Sequence, residues 1–385
     1  MAPLHLAATP SCGNDSSRRL SASLNFRARR CVPCNALLGV LAKAQRPTHE
    51  RQDQKVSRTE TVSVIIVSWN TRELLKGCLN SLFDASCGMQ LDVIVVDNAS
   101  ADGSAEMVEK QFPHVRLVRN SSNVGFARAN NQAINGCSSD LILLLNSDTL
   151  LANDALAELV RFITEHADAG AVGPKLLHPR AKLRILGCGK QPTLWTVFTH
   201  FLGVSYLMRG VKFFEGIHFW IGTDDRSARK VEWLSGACLL VRRATIKDVG
   251  VLSEKWFMYA EDWEWSNRMI RAGWQLYHVP TAIVEHYLSA SAEQTDETAS
   301  MPLTAMRSYY VELQNPSKIA LFFFDVFRTL GFGLRAIFYA FRALTSTGGS
   351  RQVWLSRSVA FLKFCKQATP WRQTQMMAGP ASLAS

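Results

Sequence analysis

Several groups of polar side chains in this chain have the types and spacing for chemistry. Ser68-Trp69-Asn70, Asp97-Asn98 and Asn146-Ser147-Asp148 each stand where an apolar run abruptly stops. A carboxylate in such a place can accept an N–H in a charge-assisted bond or offer oxygen to a hard cation. Glu261-Asp262 lies among Trp256, Phe257, Tyr259, Trp263 and Trp265. Paired acids amid aromatics are costly if merely buried. His286 follows the apolar run Ala282-Ile283-Val284 closely, and a histidine there is either structural or a metal ligand. Each group also has a plainer reading. Asp and Asn cap helices and form turns, and acids favour helix N-termini. Capping suffices for Asp102, which precedes Gly103 and Ser104. It is a weaker account of three polar strand ends at once.

The elements that must position these groups follow from the apolar pattern. Residues 62–67 (VSVIIV), 91–96 (LDVIVV) and 141–145 (LILLL) are short runs that read as buried parallel strands, and 115–118 reads as a further strand. Helical spacing spans Leu74, Leu75, Cys78, Leu79 and Leu82, then 104–112 and 123–136. Strand and helix alternate, which predicts a doubly wound α/β sheet. Ligands of such sheets bind at the carboxyl ends of the strands, where the three polar groups lie.

The charge is uneven. The net +11 arises from about +7 over residues 1–58 (ten basic, three acidic) and +5 over 291–385 (ten basic, five acidic), leaving a near-neutral middle. Basic flanks on a neutral core argue against nucleic acid as the partner and favour an anionic surface such as a membrane. The nine cysteines form no framework, which suggests a reducing compartment. Cys78, Cys87, Cys137, Cys188 and Cys238 read as buried thiols, and Cys31-Val-Pro-Cys34 has no second pair at zinc-site spacing. The first 58 residues read as a basic, disordered extension, a transit peptide or an overextended start. Neither a GxGxxG after the first strand nor a P-loop occurs, which disfavours a dinucleotide dehydrogenase and a P-loop NTPase.

The segments VSVIIVSWN (62–70), VIVVDNASADGS (93–104), NVGFARANN (123–131), LILLLNSDTLL (141–151), VGPKLL (172–177), EWLSGACLLVRR (232–243), WFMYAEDWEWSNRMIRAGW (256–274) and VEH (284–286) occur in one order. In that order the chain resembles the family 2 glycosyltransferases, especially their rhamnosyltransferase-like branch, over roughly residues 60–291. The resemblance implies a GT-A fold: a mixed, mainly parallel sheet with helices on both faces. It implies a nucleoside-diphosphate sugar donor, Mg²⁺ or Mn²⁺, and inversion at the anomeric carbon. It places Ser68, Trp69, Asn70, Asp97, Asn98, Asn123, Gly125, Arg128, Asn130, Asn146 and Ser147 on the donor side. Asp148 and His286 become metal ligands, and Trp233, Ser235 and Gly236 face the acceptor or sugar. Asp262 becomes the general base, with Glu261 in support or binding acceptor. Gly125 would let backbone approach a phosphate at a helix entry. The family's usual acidic pair is reduced here to Asn146-Ser-Asp148, and Ser289 replaces a later glycine.

Three regions follow: the extension 1–58, a catalytic domain 59–291 and a helical, membrane-associating region 292–385. In the last, residues 318–344 are apolar except for Lys318, Asp325, Arg328, Arg335 and Arg342. The arginines recur every seven residues and so share one narrow helical face. Arg335 would be costly at a bilayer centre, which favours a helix in the interface with arginines at the headgroups. The alternative is a helix packed on the catalytic domain or a partner. The expected function is sugar transfer to a hydroxyl of a lipid-linked or polysaccharide acceptor, with rhamnose a candidate sugar, on the cytoplasmic face of a membrane. A nucleotidyltransferase on a similar sheet and a non-catalytic sugar-nucleotide or glycan binder are the alternatives.

Overall fold

Alternate residues of the apolar runs feed two different cores. Val62, Val64 and Ile66 join Val93, Val95, Leu141, Leu143 and Leu145 on one face of the sheet. Ile65, Ile94, Val96, Ile142 and Leu144 pack on the other. This two-residue period on both faces is why the runs read as unbroken apolar stretches. The computed structural model describes residues 61–86, 88–178, 187–219, 227–287 and 296–368, with side chains from 302 onward in the last stretch. The expectations for residues 1–58, Cys31, Cys34, Cys87 and Ser289 lie outside the described residues.

Strands β1 (Val62–Ser68), β2 (Leu91–Asp97), β3 (Arg116–Arg119) and β4 (Leu141–Asn146) are parallel, in the order β3-β2-β1-β4. Helices α1 (Arg72–Asp84), α2 (Ser104–Gln111) and α3 (Phe126–Ile134) connect them. Leu75, Leu79 and Met107 of α1 and α2 cover the first face, and Ala129 and Ala133 of α3 cover the second. Asp102 caps as expected: its carboxylate accepts from Ser104 N–H (3.0 Å) and from Arg72 N–H (2.8 Å), so it serves two helix starts. Cys78, Cys137, Cys188 and Cys238 are buried, as expected.

The chain continues through β5 (Thr149–Leu151), α4 (Ala155–Glu165), β6 (Ala169–Leu177), β7 (Cys188–Gly189), α5 (Leu194–Phe201), α6 (Val204–Leu207), β8 (Arg229–Val231), β9 (Trp233–Leu234) and β10 (Cys238–Arg242). Then come α7 (Arg243–Val249), α8 (Glu261–Arg271) and β11 (Gln275–His286). The main sheet runs β3-β2-β1-β4-β10-β6-β11-β5, with β8 on β11. β10 is antiparallel to both neighbours. Its start therefore lies beside the end of β4, and Asn146 N–H donates to Ala237 O at 2.9 Å. β5 pairs antiparallel with β11, opposing Thr149 to His286.

Helices α9 (Asp296–Gln314), α10 (Lys318–Leu344) and α11 (Gly348–Ala368) complete the fold. Tyr309, Tyr310, Phe324 and Phe332 from them share a third core with Val197, Trp233 and Trp263. The arginine face of α10 corrects the expectation that it meets headgroups. Arg328 is fully buried, ion-paired to Asp325, which Arg307 of α9 also engages at 3.1 Å. Arg335 donates to the carbonyls of Phe201 (2.8 Å) and His200 (3.1 Å) at the end of α5. Helix ends leave such carbonyls unpaired and favour cations, which draws Arg335 inward, while Asp325 and the Leu303 carbonyl hold Arg328. Burial lowers the Arg328 pKa to about 10 and raises that of Asp325. Only Arg342 remains exposed, its guanidinium over the Trp354 ring.

Candidate active site

A cavity of about 390 Å³ opens at the carboxyl ends of β1, β2 and β4. It is lined by Trp69, Asn98, Asn146, Ser147 and Asp148 from those ends, by Ser235 and Gly236 before β10, and by Glu261 and Asp262 at the start of α8. Asn123, Trp233 and His286 also reach it. The topology explains the meeting. Parallel strands bring their ends together, antiparallel β10 brings its beginning, and the β5–β11 pair brings His286.

Asp148 and His286 stand face to face, Oδ1 to Nε2 at 3.1 Å, both buried. Asn146 Nδ2 lies 3.4 Å from the same Nε2. Ser147 is held from below by a hydroxyl chain, Ser68 to Thr71 (3.0 Å) and Thr71 to Ser147 (2.9 Å). Ser68 thus supports the wall without forming it. Asn70 turns outward with positive φ and ties two loops: its N–H donates to Ser100 Oγ, and its Oδ1 accepts from Ala101 N–H. Asp97 is buried behind the lining. Its Oδ2 accepts from Ser100 N–H at 3.0 Å, and Oδ1 has no hydrogen-bond partner. Asn98 donates to Asn123 Oδ1 (3.2 Å) and Gly125 O (3.3 Å), joining the β2 end to the start of α3.

Gly125 is needed for a different contact than the one sequence suggests. Its φ is +85°, and a Cβ there would stand 2.7 Å from Phe257 O. The Gly125 N–H is taken by Asn123 Oδ1, and the Phe126 N–H by Phe257 O at 3.1 Å. The glycine therefore lets the α3 entry lie against the loop carrying the acids, and both amides are already occupied. Gly125→Ala should cost about 1–3 kcal/mol from backbone strain alone. The clash with Phe257 adds to this, so thermal denaturation should show a lower Tm and turnover should fall with it. An unchanged Tm would contradict this account. Arg128 is exposed outside the cavity, and Asn130 is buried with Nδ2 on Phe126 O (2.9 Å).

The acid pair sits on a tense turn. Tyr259 (φ 69°) and Ala260 (φ 74°) are consecutive non-glycine residues in the left-handed region, immediately before α8. Glu261 is buried and its Oε2 has no hydrogen-bond partner. Burial, then the charge of Asp262, push its pKa up. Asp262 accepts from Gly236 N–H on Oδ2 (3.1 Å) and from Trp263 N–H on Oδ1 (2.9 Å). Those bonds favour the carboxylate, but burial outweighs them and raises its pKa to about 6. Of the five flanking aromatics, only Tyr259 and Trp263 line the cavity. Trp265 is fully buried and bonds Gly250 O, Trp256 packs on Tyr309, and Phe257 faces solvent. Trp233 lies 5.1 Å from the Trp263 ring, with Nε1 on Ile217 O.

Sequence reasoning missed part of the wall. His218, Met258 and, from α9, Pro302 and Met306 also line the cavity. Met258 lies inside the quoted segment 256–274 but carries no polar group to mark it, and His218, Pro302 and Met306 lie outside every quoted segment.

Comparison with known proteins bears on the family and the fold. The family model "Glycosyl transferase family 2" matches residues 63–217. Over those residues the chain is similar to that family. The chain is 28% identical over 259 residues to N-acetylglucosaminyl-diphospho-decaprenol L-rhamnosyltransferase of Mycobacterium tuberculosis (strain ATCC 25618 / H37Rv), covering 60% of this chain and 78% of the relative. It is 24% identical to an N-acetylglucosaminyltransferase of Rhizobium sp. (strain N33), covering 66% of this chain and 56% of that protein. The mannosyltransferase of Pyrobaculum calidifontis, solved with GDP-Man and Mn²⁺, matches with TM-score 0.50 at 15% identity, over 80% of this chain and 86% of that one. At that identity the likeness shows the shared fold. The mixed, mainly parallel sheet with a helical C-terminal region is the expected GT-A architecture.

Proposed function

We propose that this glycosyltransferase inverts the anomeric centre of a nucleoside-diphosphate sugar while moving it to a hydroxyl of a lipid-linked acceptor. The observation that supports this most is one cavity lined by Asp148, His286 and Asp262 together. Leaving-group stabilisation and acceptor deprotonation must act on one reacting centre, so their groups have to share one cavity. The similarity to a decaprenol-linked rhamnosyltransferase supports the lipid-linked acceptor and makes rhamnose the first donor to try. A peripheral position on the cytoplasmic face of a membrane would give access to it.

The residues at the β4 end fit a divalent cation. A carboxylate and an imidazole converge within 3.1 Å, with the Asn146 amide beside them. No cluster of three or more such ligands exists among the described residues. Mg²⁺ or Mn²⁺ held by Asp148 and His286 would take its other ligands from diphosphate and water, and would neutralise the leaving group. Asp262 takes the acceptor proton. Glu261, protonated over much of the neutral range, donates a hydrogen bond to a sugar or acceptor oxygen. Asp97 Oδ1, buried just behind the lining and without a partner, is the acceptor left for a donor N–H.

Measuring nucleoside diphosphate release across sugar nucleotides, with Mn²⁺ and thermal shift, tests the reading. One sugar nucleotide should both stabilise the protein and turn over. Release of pyrophosphate from a nucleoside triphosphate would instead indicate a nucleotidyltransferase, and binding without turnover a pure binder. Asp97→Ala should weaken donor affinity roughly 10- to 100-fold, the worth of one charge-assisted bond. An unchanged donor Kd would remove Asp97 from the donor site.

A further inference from the structure

Helix α10 is inverted relative to an ordinary surface helix. Its charged residues Asp325, Arg328 and Arg335 face the protein, while Ile319, Phe322, Leu330, Leu334, Ile337 and Phe341 face solvent. The inward charges are paired to each other or to α5 carbonyls, so packing has consumed the polar side of the helix. The apolar side has no partner among the described residues. It runs the length of a 27-residue helix, about 40 Å.

The exposed face does not end with α10. Phe323 packs on Phe327 (6.0 Å), Phe327 on Phe198 (5.2 Å), Phe198 on Trp195 (5.4 Å) and Trp195 on Phe213 (4.9 Å). Through this aromatic chain the surface reaches the segment after α5, where Leu207 is 78% and Phe213 66% exposed. The charge around it is of one sign. Residues 194–214 contain no acid, and Asp325 is the only acid in 318–368 and is buried. Arg209, Lys212, Lys318, Arg342, Arg351 and Lys363 are exposed in the same segments.

We propose that this continuous face, formed by α10 and residues 206–213, docks on an anionic phospholipid surface. Aromatic and aliphatic side chains enter the headgroup–acyl boundary, and the surrounding cations meet the phosphates. A protein partner would need acids placed to match each cation, whereas a bilayer supplies diffuse negative charge to all of them. No helix among the described residues is long and apolar enough to cross a membrane, so the contact is lateral. The proposal rests on the lipid-linked acceptor reading only for its biological purpose. It also gives that reading a geometry: the neighbouring helix α9 contributes Pro302 and Met306 to the cavity wall.

The test uses the full chain and co-sedimentation with phosphatidylcholine vesicles, with and without phosphatidylglycerol. The wild type should bind the anionic vesicles, bind neutral ones less, and release as salt rises. The double variant Ile337→Glu, Phe341→Glu alters two side chains that are 69% and 62% exposed, so the fold should tolerate it. It should lose vesicle affinity by about tenfold or more while keeping its Tm and its release of nucleoside diphosphate to water. Equal vesicle binding by variant and wild type would overturn the proposal, as would a wild type that ignores anionic vesicles. So would a wild-type dimer in light scattering that the variant dissolves, since the face would then be covered by a second copy. Vesicle binding needs no donor. A chain that binds vesicles but turns over no sugar nucleotide upholds the surface and overturns only the transferase reading.

Discussion

Asp262→Asn lowers kcat by about 10²-fold or more while donor affinity stays near that of the wild type. The side chain keeps its size and can still accept from Gly236 and Trp263 through its amide oxygen, but it loses basicity. General base catalysis typically contributes about 10²–10⁴-fold, which sets the scale. The choice of Asp262 over Glu261 follows from their surroundings. Asp262 is locked by two backbone N–H donors that favour its ionised form, whereas Glu261 Oε2 is buried without a partner and is kept protonated. The pH profile carries the same signature. A raised carboxyl is protonated, and inactive as a base, below its pKa. With the Asp262 pKa near 6, kcat should fall on acidification through that region rather than near the ordinary carboxylate value of about 3.9. Asp262→Asn should remove this limb along with most of the rate. Normal turnover in the variant, or lost donor binding with the rate per bound donor intact, would move Asp262 out of the base role.

Asp148→Ala abolishes metal-dependent turnover at saturating donor. Its carboxylate is the only one among the described residues facing His286, and no third ligating group stands near enough to replace it. Removing it leaves an imidazole and an amide, too weak a pair for a hard cation that prefers anionic oxygen. His286→Ala should be milder: Asp148 and the donor diphosphate still supply oxygen, so raising Mn²⁺ should recover part of the rate. Chelation with EDTA should reproduce the Asp148→Ala phenotype in the wild type, and added Mn²⁺ should reverse the chelated wild type alone. Full activity of Asp148→Ala at saturating donor would end the metal assignment.

Much of the architecture was legible in the chain because its causes are local. Residues 62–67, 91–96 and 141–145 are short, apolar and bounded by polar residues, and each became a buried strand extended by one residue. The polar group after each was visible for the same reason: a strand must end where its apolar run ends. Lys318–Leu344 was likewise readable as one helix, since its 27 residues hold a single pattern without a proline. What each group faces depended on residues far away in the chain. Strand alternation turns Asp97 behind the cavity and Asn98 into it. The requirement for glycine at 125 comes from Phe257, and the grip on Asp262 from Gly236. The heptad of arginines in α10 gave their common face but not its direction, because Arg307 and the carbonyls ending α5 come from other segments. Periodicity shows that side chains share a face. Only the partners available in the folded chain decide whether that face turns to protein or to its surroundings.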